Sequence, residues 1–236
     1  MFKMNRTAVA PVVAEFIGTG VLVMIALILG QTTAVSYFIA TSVAVAAAVV
    51  YMLFNMVSGA HTNPAITFGM WTARKIGTLR AITYIAAQLL GGLASWQLFQ
   101  YFTNHTLTAK TATFSTPVWL AETIGTAVLA MAFTAALSRR IEALYSGLMV
   151  GAAYFVGIVI AATASSGYVN PAVALGSRAW SAAYVLGPLA GGLIGVNIYT
   201  YLFADGATVA AKTSSASSGV SVRRTTVRRK KTARSR

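Results

Sequence analysis

Apolar residues fill this chain in long blocks, and charges are confined to the gaps between them. No Asp, Glu, Lys or Arg lies between Glu15 and Arg74, nor within 81–109, 123–138, 143–177 or 179–204. A membrane-spanning helix needs about 20 mostly apolar residues. The pattern predicts six such spans, over 12–29, 35–57, 81–102, 118–137, 144–163 and 182–203. A soluble helical core would need a charged stripe along most helices, and these segments offer none. Ser115, Thr116 and Pro117 read as a cap followed by a first-turn proline, so the fourth span is expected to start there. Pro188 falls inside the last span, where neighbouring membrane helices tolerate it.

Two further stretches, 63–73 and 170–180, are too short to cross a bilayer, and both begin with Asn-Pro. Asparagine is a strong helix N-cap and proline suits the first helical position, so each predicts a short helix starting there. A short helix at membrane depth is tolerated only inside protein or along a wet cavity.

The chain repeats itself. Ala14-Glu15-Phe16-Ile17-Gly18-Thr19 recurs as Ala121-Glu122-Thr123-Ile124-Gly125-Thr126. The offset of 107 residues from Glu15 to Glu122 is also the offset from Asn63 to Asn170, which marks a duplication. The expected repeats are 11–107, with half-helix 63–73, and 108–205, with half-helix 170–180. A short segment, 1–10, precedes them and a basic tail, 206–236, follows. Three spans per half is an odd number, so the halves are inverted about an axis in the membrane plane. The half-helices then enter from opposite faces and meet N-terminus to N-terminus near the bilayer centre. The expected fold is all-α and integral to the membrane, with six transmembrane helices and two re-entrant half-helices in an inverted 3+3 repeat.

Composition narrows the function. Charged residues make up 9% of the chain, against about 25% in soluble domains. The absence of cysteine excludes disulfides and cysteine-ligated metals, and four acidic residues leave little for paired-carboxylate catalysis. No nucleophile–base pair, metal cluster or glycine-rich phosphate loop is visible, so neither an enzyme nor a bound metal or cofactor is expected. No cleaved signal peptide is expected either, because the first apolar run is long and contains Glu15. Lys3, Arg6, Arg74, Lys75, Arg80, Arg139, Arg140 and the tail fall on one side of the six-span topology, leaving Lys110 and Arg178 on the other. Basic segments face the cytoplasm, so both termini are expected inside a multi-pass plasma-membrane protein.

The segments Ser58-Gly59-Ala60-His61-Thr62-Asn63-Pro64-Ala65-Ile66-Thr67-Phe68-Gly69 and Asn170-Pro171-Ala172-Val173-Ala174-Leu175-Gly176 resemble the aquaporin and glycerol-facilitator family, the major intrinsic proteins. The segments 14–19, 87–92 and 187–192 are similar to it as well, and the resemblance runs from about Pro11 to Phe203. It implies a homotetrameric channel for water or small neutral solutes, with one pore per subunit. A helix N-terminus carries about half a positive charge, so two of them aimed at one point repel cations, hydronium included. Asn63 and Asn170 can cap their helices through the side-chain oxygen and leave the amide NH2 free to donate into the lumen. That orients each passing oxygen and interrupts the chain of hydrogen bonds a proton would follow. The resemblance implies these roles for the Asn63-Pro64-Ala65 and Asn170-Pro171-Ala172 motifs. It also implies that Glu15 and Glu122 accept hydrogen bonds that hold the loops before the half-helices, and that His61 lies in the cytoplasmic half of the pore.

One position departs from the family. Many members carry arginine directly after the second motif, and here that position is Val173. Carrying over the other outer-filter positions by spacing gives Val43, Ile158 and Gly167, so the expected filter is apolar, without a fixed cation. Arg178 lies five residues beyond Val173, about 140° around a helix, and is expected on another face near the external mouth. A wider, less polar filter suits glycerol-like solutes, ammonia or gases as well as water.

From Lys212 onward the tail holds nine Lys or Arg and no acid. Its expected partner is anionic lipid, at about 1 kcal/mol per basic residue near the surface, rather than nucleic acid. Two other functions share the pattern. A secondary transporter also uses inverted repeats and broken helices, though here only Glu15 and Glu122 could carry coupling. A non-conducting structural membrane protein with the same fold is the other.

Overall fold

The computed structural model describes residues 6–33, 35–110, 113–139 and 142–204. The basic tail from 206, Lys3 in the first five residues, and Arg140 lie outside the described residues.

The described residues form helices α1 (Arg6–Thr32), α2 (Ser36–Ser58), α3 (Pro64–Thr72), α4 (Thr78–Thr103), α5 (Thr116–Ser138), α6 (Ala143–Ala161), α7 (Pro171–Gly176) and α8 (Ala182–Ile198). α8 widens into a π-helical turn over Tyr199–Phe203. The chain is an all-α membrane protein, with six long helices and two half-helices, α3 and α7, among the described residues. Five of the long helices are apolar enough to cross a membrane by composition alone. α4, of 26 residues, is the sixth and less apolar, since it carries Arg80, Gln88, Gln97 and Gln100. Its buried face packs along α1.

The helix ends depart from the sequence pattern in places. α1 starts at Arg6 rather than 12, because nothing before Pro11 breaks a helix and Pro11 is accommodated within it. Ser115 holds the N-cap position of α5, but its side chain makes no capping hydrogen bond. α7 ends at Gly176 instead of reaching 180. There Arg178 takes a left-handed backbone (φ 59°), and the Ala179 N–H bonds the Ala174 carbonyl at 2.9 Å. α3 ends in the same way, with Arg74 at φ 57° and the Lys75 N–H on the Met70 carbonyl at 2.8 Å. Both are Schellman-type stops that satisfy the last carbonyls.

Helix contacts are made through glycine, as expected where lipid removes the hydrophobic drive and close backbone approach supplies the attraction. Gly125 of α5 and Gly157 of α6 each face the other's carbonyl oxygen, and Gly91 of α4 lies against the Phe16 carbonyl of α1. The half-helices are seated likewise. Gly192 of α8 lies against the Ala65 carbonyl at the start of α3, and Gly92 of α4 against the Ala172 carbonyl at the start of α7.

Candidate functional site

The two half-helices meet at their N-termini. Asn63 and Asn170 are fully buried, and each caps its own helix. Asn63 Oδ1 accepts from the Ala65 N–H at 2.9 Å, and Asn170 Oδ1 from the Ala172 N–H at 2.9 Å. Each amide also reaches across to the other half. Asn63 Nδ2 donates to the Val169 carbonyl at 2.9 Å, and Asn170 Nδ2 donates to the Thr62 carbonyl at 3.0 Å. The amide groups are therefore not wholly free, as capping alone would leave them. One N–H of each ties the halves together, and one of each remains. Pro64 and Pro171 occupy the first turn of their helices, and Ala65 and Ala172 are fully buried.

The residues before the asparagines are strained. Thr62 (φ 45°) and Val169 (φ 44°) are β-branched residues with left-handed backbones, a conformation that costs about 1–3 kcal/mol. Each is held at both ends. Its carbonyl accepts from the opposite asparagine, and its N–H donates to a buried glutamate. Glu15 Oε2 accepts from the Thr62 N–H at 2.6 Å and from Gln88 Nε2 at 2.7 Å. Glu15 Oε1 accepts from the Ser58 hydroxyl at 2.6 Å and the His61 N–H at 2.9 Å. In the second half, Glu122 Oε2 accepts from the Val169 N–H at 2.7 Å. Glu122 Oε1 accepts from the Ser165 hydroxyl at 2.7 Å and the Tyr168 N–H at 2.9 Å. Both carboxylates are fully buried, and donors surround them on both oxygens.

The pairs Ser58/Ser165, His61/Tyr168 and Thr62/Val169 all share the offset of 107, so the two serines are legible from the repeat although no motif singles them out. Gln88 is not. Pro188 stands at the matching place in α8, aligned by Tyr84/Tyr184 and Gly92/Gly192. The two tyrosines anchor the loops: the Tyr84 hydroxyl donates to the Ser58 carbonyl at 3.0 Å, and the Tyr184 hydroxyl accepts from the Ser166 N–H at 3.1 Å.

His61 is buried. Its Nδ1 shares a hydrogen bond of 3.2 Å with the Thr67 hydroxyl. Its ring packs edge-on against Tyr84 and Phe133, and Phe133 packs edge-on against Tyr51.

On the Lys110 side of the bundle lies a cavity of about 280 Å³ whose wall includes Val43, Ile158, Gly167 and Val173. The structure thus brings the four positions expected to form the outer filter to one opening. Gly167 lies at the place of Ala60 in the repeat, and both have left-handed backbones. The wall is not purely apolar: Lys110, Tyr154, Ser165 and Ser166 contribute to it. Lys110 Nζ stands 3.4 Å from the Tyr168 hydroxyl, a cation at the mouth that no local sequence signal places there. Arg178 does not line the cavity. Its guanidinium lies over the Trp96 ring, 4.3 Å from the centroid. No group of three or more metal-ligating side chains occurs among the described residues.

Residues 3–199 match the family model described as major intrinsic protein. Aquaporin AqpM of Methanothermobacter thermautotrophicus is 32% identical over 184 residues, covering 67% of this chain and 73% of that protein. Aquaporin Z of Photorhabdus laumondii is 26% identical over 194 residues, covering 71% of this chain and 84% of that protein. The fold is similar to the X-ray structure of the aquaglyceroporin from Plasmodium falciparum, with a TM-score of 0.68, 20% identity, and coverage of 85% of this chain and 99% of that one.

Proposed function

The chain belongs to the major intrinsic protein family, and on that premise we propose how it works as a passive membrane channel for water and small neutral solutes. It is a channel and not an enzyme. The observation that carries the mechanism is the reciprocal bonding of Asn63 to the Val169 carbonyl and Asn170 to the Thr62 carbonyl. This fixes two helix N-termini, each with one uncommitted amide N–H, at a single buried point. A water or alcohol oxygen passing there accepts from the amides and is turned away from its neighbours. A cation meets the positive ends of two helices.

Val43, Ile158, Gly167 and Val173 form the outer selectivity filter. With valine in place of the family's arginine, its wall admits solutes with few hydrogen-bonding groups and of glycerol size. Glu15 and Glu122 hold the loops rather than relay protons, because their oxygens are occupied by fixed donors. The domain arrangement is two inverted repeats, 11–107 and 108–205, around one pore. The protein sits in the plasma membrane with both termini cytoplasmic, assembles as a homotetramer, and lays its basic tail on anionic lipid.

Stopped-flow measurements on proteoliposomes with water, glycerol, urea and ammonia test this reading. Permeability to water and glycerol above that of empty liposomes supports it. Saturable, ion-dependent uptake would point to a transporter, and no permeability to any of the four to a structural protein.

A further inference from the structure

The cavity on the Lys110 side stops short of the asparagine pair. Tyr154 is part of its wall, one turn of α6 before Ile158, whereas neither Asn63 nor Asn170 lines it. The Tyr154 ring is buried in the same apolar cluster as Val43, Tyr51 and Ile158. Its hydroxyl is buried without a hydrogen-bond partner. The same cluster contains Val169, which precedes Asn170 and whose carbonyl accepts from Asn63 Nδ2, so the ring belongs to the packing that reaches the asparagine pair. A buried tyrosine hydroxyl ordinarily finds a partner. An unpartnered one in the wall of the cavity, packed in the cluster that reaches the asparagine pair, marks a place where a mobile polar group belongs.

We propose that Tyr154 is the size-selecting residue of this channel: its ring closes the floor of the external cavity, and its hydroxyl stands where a permeating oxygen faces the two asparagines. The inference rests on the channel reading above and deepens it. A water molecule can bridge the hydroxyl to an amide after a small displacement of the ring. A polyol, with its carbon chain, passes only when the whole side chain swings aside. The apolar filter at Val173 thus admits solutes that Tyr154 then sorts by bulk.

The test is stopped-flow permeability of proteoliposomes holding equal amounts of folded wild type, Tyr154→Phe, Tyr154→Leu or Tyr154→Ala. Relative to wild type, Tyr154→Ala is expected to raise the ratio of glycerol to water permeability by about tenfold. Tyr154→Leu, which keeps the apolar packing but is shorter, is expected to raise it in the same direction and serves if the alanine variant does not fold. Tyr154→Phe retains the bulk and is expected to stay within about twofold of the wild-type ratio. A wild-type ratio in the leucine and alanine variants, or a phenylalanine variant as open as alanine, overturns the proposal. If no variant and no wild type raises water permeability above that of empty liposomes, the channel reading itself has failed.

Discussion

Gly192 lies directly against the carbonyl oxygen of Ala65, so α8 leaves no room for a side chain where the first half-helix begins. A Cβ there meets backbone, which cannot rotate away, and overpacking of this kind costs about 1–3 kcal/mol. Gly192→Ala is expected to lower the thermal stability of the detergent-solubilised protein and to reduce water permeability. Gly30 is the control: it lies in α1, and a methyl group added there would have nothing within 4 Å. Alanine at that position is expected to be neutral or to stabilise by about 0.5–1 kcal/mol. Equal behaviour of the two variants in a thermal-shift assay would remove the close seating of α3 from the account.

The buried glutamates give a second expectation. In Glu15→Gln, whichever way the amide turns, its NH2 confronts either the His61 or the Thr62 backbone N–H. In Glu122→Gln the same conflict falls on Tyr168 or Val169. An unsatisfied buried donor costs about 1–3 kcal/mol. Both variants are therefore expected to melt at lower temperature and to conduct poorly, because the strained loops lose their anchor. A Glu→Gln variant with full stability and full permeability would contradict the anchoring role.

Much of this machinery is legible in the sequence alone. The shared offset of 107 pairs Glu15 with Glu122 and Asn63 with Asn170, and the Asn-Pro pairs mark where the half-helices start. The end of the first, at Thr72, falls within one residue of the expected 73, but the early end of the second is not legible, because nothing in Arg178 as a residue type announces a left-handed backbone. Gln88 escapes because the register between halves changes: α7 is three residues shorter than α3, and α4 begins about one turn earlier relative to Tyr84 than α8 does to Tyr184. Tyr154 is hidden for another reason. It sits in the apolar run Ala152-Ala153-Tyr154-Phe155-Val156, and only the rotation of α6 decides that Tyr154 and not Phe155 reaches the cavity wall.

Val173→Arg tests the outer filter. Val173 is buried in the cavity wall, so an arginine there narrows the opening and adds a fixed charge with five donors. Glycerol permeability is expected to fall by about tenfold, with water changed by less than about threefold. An unchanged glycerol rate would mean that these positions do not form the filter.

The central claim is that the path through the protein passes the Asn63–Asn170 pair, where two helix N-termini admit water and reject protons. The most direct measurement is water permeability and proton flux on the same proteoliposomes, the first by stopped-flow light scattering and the second with an entrapped pH-sensitive dye. The expected result is water permeability well above that of empty liposomes, with proton flux at their level. Proton flux rising together with water flux would contradict it.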